Sequence, residues 1–146
     1  MKPISIALLL TALLSGCAGP NMIPIWWVEF TPSRADDAAV VSASAAAIGF
    51  TVRDIPQETL NAAGQGPEKR LAVWEWPEHK STSMGLMQSE TTGNYEILFE
   101  DDVTDGFELV GPACEKYLEL VSVLKRKFAP QRMKFYKETC NPSGSN

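Results

Sequence analysis

The side chains with the clearest chemical potential in this chain are three cysteines, one histidine and a short run of carboxylates. Cys17 is the most informative, because it follows the small residues Ser15 and Gly16 and an apolar stretch at residues 4–14. Small residues before a cleavage point are typical of exported chains. The thiol of Cys17 stands directly after that point, where it is available for covalent modification.

The N-terminal residues together resemble the signal peptide of bacterial lipoproteins. Lys2 provides a positive charge, residues 4–14 provide the apolar run, and residues 14–17 read Leu-Ser-Gly-Cys, which is similar to a lipobox. The apolar run is too short for an ordinary membrane-spanning helix, which needs about 20 residues. An ordinary secretory signal would favour an A-x-A-like site, where Cys17 stands in the way. We therefore expect a lipoprotein signal peptide at residues 1–16.

The lipoprotein resemblance implies that Cys17 is lipidated and begins a mature chain of 130 residues. In such proteins an aspartate after the cysteine tends to retain the protein at the inner membrane. Ala18 follows here, so the resemblance implies the periplasmic face of the outer membrane. Several acyl chains, each contributing about 0.8 kcal/mol per buried methylene, anchor stably. Residues 17–24 form a tether that reaches at most about 30 Å to the first strand.

Cys114 and Cys140 are the two remaining cysteines, an even number in an oxidising compartment. Cys114 begins a helical pattern that ends near Phe128, and Cys140 ends a strand-like run from Arg132. Helix and strand would each be about 20–25 Å long, so an antiparallel return places the cysteines side by side. We expect a disulfide between them and not two unpaired buried thiols.

The remaining patterns predict a single α+β domain over residues 25–140, followed by a polar tail at 141–146. Strands are predicted at residues 25–30, 50–53, 70–76, 83–90, 94–100 and 132–140, long helices at 32–48 and 111–128, and a short helix at 56–63. This order predicts a largely antiparallel sheet with the two long helices packed on one face, a ferredoxin-like variant. Many unrelated functions share that fold, so it implies no activity.

Charge is unevenly distributed along the chain. Residues 29–115 contain 5 basic and 16 acidic residues, a net charge of −11, whereas residues 116–138 contain 7 basic and 2 acidic residues, a net charge of +5. Lys125, Arg126 and Lys127 form the densest basic stretch. These cations complement the dipole at a helix end, or they meet lipid headgroups, peptidoglycan or an acidic protein. Nucleic acid is not an expected partner in this compartment.

Other candidate side chains for chemistry have weak patterns. His79 is the only histidine; we expect it in an exposed hairpin loop, and one histidine beside a disulfide leaves too few ligands for zinc. Asp101, Asp102 and Asp105 match the EF-hand pattern only faintly, so we expect a solvated acidic loop that could contact a basic partner. We expect no catalytic residue, metal or cofactor.

Four tryptophans lie in two predicted strands. Because side chains alternate between the two faces of a strand, Trp74 and Trp76 lie on the same face, whereas Trp26 and Trp27 point to opposite faces. At least one is therefore a candidate for exposure, and exposed tryptophans favour interfaces. Because of its closeness to the lipid, Trp26 is the candidate for a partner or membrane contact; the alternative is core packing.

Together these patterns predict a non-enzymatic, outer-membrane-anchored periplasmic lipoprotein whose domain binds a protein or envelope component. One alternative is a periplasmic immunity or inhibitor protein that neutralises a secreted hydrolase through its acidic surface. A second alternative is a small enzyme that uses His79 with carboxylates. The pattern of residues gives no identity for the partner.

Overall fold

The computed structural model describes residues 25–62, 68–102 and 108–143; the predicted signal peptide, Cys17 and the tether lie outside them. Within these ranges the strands are β1 (Ile25–Phe30), β2 (Thr51–Val52), β3 (Glu68–Trp76), β4 (His79–Ser89), β5 (Tyr95–Asp101) and β6 (Met133–Phe135). The helices are α1 (Asp37–Ala47), α2 (Gln57–Ala62) and α3 (Gly111–Lys127), with a 3-10 turn at Pro130–Arg132. None of these helices has both the length and the apolar character that crossing a membrane requires.

The six described strands form one antiparallel sheet in the order β2-β3-β4-β5-β1-β6. Within it, β6-β1-β5-β4 is the strand order of a ferredoxin-like split βαβ unit, with α1 connecting β1 toward β4 and α3 connecting β5 to β6. β3 and β2 extend the sheet beyond β4, with α2 between them along the chain. The predicted α+β fold with a largely antiparallel sheet is confirmed.

Both long helices pack on one face of the sheet, and the side chains of β1 show which face it is. Trp26, Val28 and Phe30 alternate along β1 and are all buried. Tyr117 meets Trp26 edge-on with ring centroids 4.9 Å apart, and Phe128 meets Phe30 at 5.0 Å. Since burying each large apolar side chain contributes roughly 1.5–3 kcal/mol, these contacts fix the helix on the sheet. Tyr117, in the first half of α3, lies beside Trp26, and Phe128, just after its end, lies beside Phe30. Because both pairs follow the same order along the chain, α3 runs in the same direction as β1.

α1 begins at Asp37, later than the predicted start near Pro32. The buried Asp37 carboxylate accepts hydrogen bonds from the backbone N–H groups of Ser33, at 2.7 Å, and Arg34, at 3.0 Å. The chain before the helix therefore bends around this side chain and does not continue the helical pattern. At the other end, Gly49 adopts a positive φ of 91°, as expected for a glycine that follows a helix.

β6, and to a smaller extent β2, is shorter than predicted. β6 ends at Phe135, whereas the predicted strand extended to Cys140. The reason is that α3 holds the following segment: the Tyr117 hydroxyl donates a hydrogen bond to the Lys137 carbonyl at 2.5 Å. Burial, and secondly the Glu138 carboxylate, raises the pKa of Tyr117, so the hydroxyl keeps its proton as a donor.

A disulfide joins Cys114 and Cys140, with their Cα atoms 5.8 Å apart, and confirms the predicted pairing. It links the first turn of α3 to the segment that follows β6. Beside it, the Gly111 N–H donates a hydrogen bond to the Pro142 carbonyl at 3.0 Å. The C-terminal segment is therefore fastened to the start of α3 although it is no longer part of the sheet.

Candidate functional site

The exposed basic cluster lies at the end of the domain opposite to the point where the chain enters from Cys17. The chain enters at Ile25, the first residue of β1. Because α3 runs in the same direction as β1, the end of α3 lies beside the end of β1, about 20 Å away along the strand. The basic cluster at this end consists of Lys125, Arg126 and Lys127, all exposed.

A groove of about 440 Å³ lies next to the basic cluster, between the end of α3 and β6. Lys125 spans it, with Nζ 5.2 Å from the Phe135 ring centroid and 2.5 Å from a Glu138 carboxylate oxygen. Lys134 lies on the strand with its side chain 83% exposed and its Nζ 3.9 Å from a Glu29 carboxylate oxygen. The groove has an apolar floor and a charged rim, and it is lined by Lys125, Pro130, Met133, Lys134, Phe135 and Glu138. Such a shape suits an apolar side chain accompanied by negative charge.

A second hollow, of about 390 Å³, lies between the start of α1 and the end of α3. Its centre is an ion pair in which Arg132 donates to the Asp37 carboxylate at 2.5 Å. Burial raises the pKa of Asp37, but the Ser33 and Arg34 N–H groups and the Arg132 guanidinium outweigh burial and lower it overall. Both charges are therefore already used to hold α1 against the segment before β6, which is a structural role.

The three predicted acidic residues do not form one exposed surface. Asp101 is only 5% exposed, because β5 extends through it and pairs it with Thr82 of β4. The Thr82 hydroxyl lies 3.4 Å from an Asp101 carboxylate oxygen. Asp102 is exposed, and Asp105 lies outside the described residues. The prediction of a solvated loop is wrong for Asp101, since the strand continues one residue further than the pattern indicated.

The exposed tryptophan is Trp27 and not Trp26. Trp26 is 0% exposed beneath Tyr117, so the prediction that it contacts a partner or the membrane is wrong. Trp27 is 38% exposed on the face of the sheet that α1 and α3 leave uncovered, and it stacks on Tyr136, which is 44% exposed. Period-two alternation was the signal for Trp27. Tyr136 had no comparable signal, because its place beside β1 depends on strand order.

The side-chain contact that the structure shows for His79 is with an aromatic ring. It is exposed and begins β4, whereas a loop position was predicted. Its ring stacks on Trp76 with centroids 4.7 Å apart. Within the described ranges, no group of three His, Cys, Asp or Glu side chains lies close enough together to hold a metal. The exposed His79 ring therefore covers the buried Trp76 ring.

The uncovered face of the sheet carries a small polar hollow of about 210 Å³ over Gly85, which has no side chain to fill it. Arg53 and Arg70 line the hollow together with Glu100 and Asp102. Two positive and two negative side chains around one opening give no field of a single sign. This hollow is therefore a weaker candidate for a charged partner than the basic cluster.

Carboxylates crowd the part of the uncovered face beyond this hollow. Glu96 is half-buried on β5; burial, and then the Glu68 and Glu29 carboxylates, raise the pKa of Glu96. Asn94 donates a hydrogen bond to Glu29 at 2.7 Å and relieves part of this repulsion. This face is therefore acidic around Glu96 and Glu29, and at its β6 edge the Lys134 ammonium lies 3.9 Å from the Glu29 carboxylate.

No family model, curated protein or solved structure matches this chain. Its function therefore has to be argued from its own surfaces. The exposed basic cluster with the adjoining groove, and the Trp27–Tyr136 stack, are the two features of the described surface that suit an interaction.

Proposed function

We propose that the chain is a lipoprotein anchored through Cys17 at the periplasmic face of the outer membrane, and that its domain binds a partner without catalysing a reaction. The observation that carries the binding role is the placement of the exposed basic cluster beside a groove, at the end of the domain opposite to Ile25. The similarity of residues 14–17 to a lipobox supports the anchor. The disulfide between Cys114 and Cys140 agrees with an oxidising compartment.

The position of the basic cluster favours a partner in the periplasm over the lipids of the anchoring membrane. A tether of at most about 30 Å keeps the Ile25 end of the domain nearest to Cys17. For the basic cluster to touch the same membrane, the tether would have to fold back over the roughly 20 Å length of β1, about two thirds of its full reach. Clustered cations that point away from the membrane attract carboxylates or phosphates of an envelope component or protein.

The Trp27–Tyr136 stack supports a membrane-facing role for the opposite end. Trp27 lies ten residues after Cys17 and near the start of β1. Tryptophan and tyrosine combine an apolar ring with a polar group, and they concentrate at membrane–water interfaces for that reason. The domain thus has one end suited to the interface and another suited to an anionic partner.

The two alternatives have less support. An inhibitor that used the acidic run would need an exposed surface there, but Asp101 is buried against Thr82. An enzyme that used His79 would need a proton-transfer partner, and the described contact of His79 is the Trp76 ring. Neither alternative explains the basic cluster.

Two variants test the proposal in the native envelope. Cys17→Ser should move the protein from the membrane fraction to the soluble periplasm, because the lipid is its anchor. Lys125→Glu/Arg126→Glu/Lys127→Glu should stay in the membrane but lose the partner captured by crosslinking. Arg53→Glu/Lys69→Glu/Lys80→Glu is the matched control, since it makes the same charge change at exposed sites elsewhere. Membrane retention of Cys17→Ser, or equal capture by both triple variants, would refute the proposal.

A further inference from the structure

The outer edge of β6 has no neighbouring strand among the described residues, because β6 is last in the sheet order. The Tyr136 N–H donates to the Trp27 carbonyl at 3.0 Å, so these two residues form a hydrogen-bonded pair. Phe135, the next residue back, lies opposite Val28. Since bonded and non-bonded pairs alternate in an antiparallel ladder, Phe135 turns both its N–H and its C=O away from β1.

The open edge of β6 is also one wall of the groove described above. Phe135 and Met133 supply the strand side of the groove, and Lys125 reaches over it from α3. An exposed edge strand beside a helix is the arrangement in which extended peptides bind as an added strand. We propose that this edge binds an extended, acidic peptide segment of a partner protein as an additional antiparallel strand. This inference deepens the proposed function, because it rests on the basic end being the partner-binding end.

The direction of the β6 side chains defines the sequence that would fit. The peptide residue opposite Phe135 projects to the same face as the Phe135 ring and enters the groove over Pro130 and Met133, which favours an aliphatic side chain. The residues on either side of it project to the opposite face, where Lys134 is 83% exposed and its ammonium lies 3.9 Å from the Glu29 carboxylate. Carboxylates there lie next to a cation. The preferred segment is therefore acidic, then aliphatic, then acidic.

The charge of the β6 edge favours an acidic peptide over a second copy of this chain as its binding partner. A second copy pairing through β6 would bring its own lysines against Lys125 and Lys134, and like charges across a strand pair are destabilising. Lysine on a short edge strand is a common protection against self-pairing. The same positive charge admits an acidic strand, so it selects the partner as well as preventing self-association.

The test uses detergent-solubilised full-length protein and a labelled peptide that alternates glutamate and valine. Fluorescence anisotropy should show saturable binding that Lys134→Glu weakens about tenfold or more, whereas Lys80→Glu leaves it unchanged.

N-methylation of the central valine should weaken binding about tenfold, since it removes the donor to the Phe135 carbonyl. Amide exchange at Phe135 should slow when the unmodified peptide is bound. A peptide with lysine in place of glutamate should not bind.

Four other outcomes would each refute one part of the inference or of the proposed function. Equal binding of the N-methylated peptide would refute strand addition. Binding of anionic vesicles or peptidoglycan fragments at the basic cluster, with no binding of the peptide, would refute this inference and leave the proposed function standing. Peptide binding by a protein that fractionation shows not to be membrane-anchored would refute the anchor alone. A concentration-dependent dimer that the peptide cannot displace would assign the edge to a second copy.

Discussion

Tyr136 stacks on Trp27 with ring centroids 4.1 Å apart and 16° between the ring planes, on the face of the sheet that α1 and α3 leave uncovered. The pair joins β1 to the segment that follows β6. Trp26, Trp74 and Trp76 are buried, so Trp27 is the tryptophan that a solute in water can reach. Quenching of tryptophan fluorescence by a solute in water therefore reports on this face of the sheet.

Acrylamide quenching of Trp27 should decrease when the lipidated protein is bound to vesicles. The physical reason is that the exposed indole enters the membrane interface, where the quencher is less accessible. The comparison is wild-type protein on vesicles against soluble Cys17→Ser. Trp27→Phe should show little quenching in either state, because its remaining tryptophans are buried. Equal quenching of wild-type protein in both states would place Trp27 away from the lipid.

Loss of the disulfide should lower the free energy of unfolding by about 3–4 kcal/mol, because the bridge limits the unfolded chain across a loop of this length. Its cysteines are 26 residues apart in sequence. Urea unfolding of Cys114→Ala/Cys140→Ala and of the wild-type protein, with and without reductant, measures the difference. Reductant should destabilise the wild-type protein and leave the variant unaffected. Identical wild-type curves in both conditions would contradict the prediction.

Asp37→Asn should destabilise the domain at pH 7 by about 2 kcal/mol, since the carboxylate accepts bonds from two N–H groups and Arg132. The pKa of folded Asp37 lies below its ordinary value of about 3.9. The stabilisation of the folded state by the Asp37 carboxylate is therefore present above about pH 4, and it is lost as the pH falls through the folded-state pKa. Urea unfolding as a function of pH should show the two proteins converging in acid. Asp36→Asn is the control, because Asp36 makes no side-chain capping bond to α1.

Glu96→Gln, in contrast to Asp37→Asn, should raise the free energy of unfolding at pH 7, by a few tenths of a kcal/mol. Burial and the neighbouring Glu68 and Glu29 carboxylates raise the pKa of Glu96, so its ionised form opposes folding. That cost is present well above the folded-state pKa and absent below the unfolded value of about 4.3. The gain over wild type should therefore vanish near pH 4. Glu90→Gln, in the exposed turn after β4, should change stability little at either pH.

Local patterns predicted most of the elements correctly. The helix at 111–128 and the strand at 25–30 were predicted from the spacing of residues close in sequence, and both are present as α3 and β1. The disulfide followed from counting cysteines once Cys17 was assigned to the lipid. The start of α1 was predicted too early, because the Asp37 carboxylate binds the backbone N–H groups of Ser33 and Arg34 and so stabilises a bend before the helix.

The sequence by itself determined that Trp26 and Trp27 lie on opposite faces, that two helices flank the strands and that Cys114 pairs with Cys140. Only the tertiary structure decided which tryptophan is exposed, that Asp101 is buried, and that the basic cluster lies far from Ile25 and beside an open strand edge. The physical reason is that periodicity follows from neighbours along the chain. Which face is covered, and which strand lies at the edge, depend on contacts between residues distant in sequence.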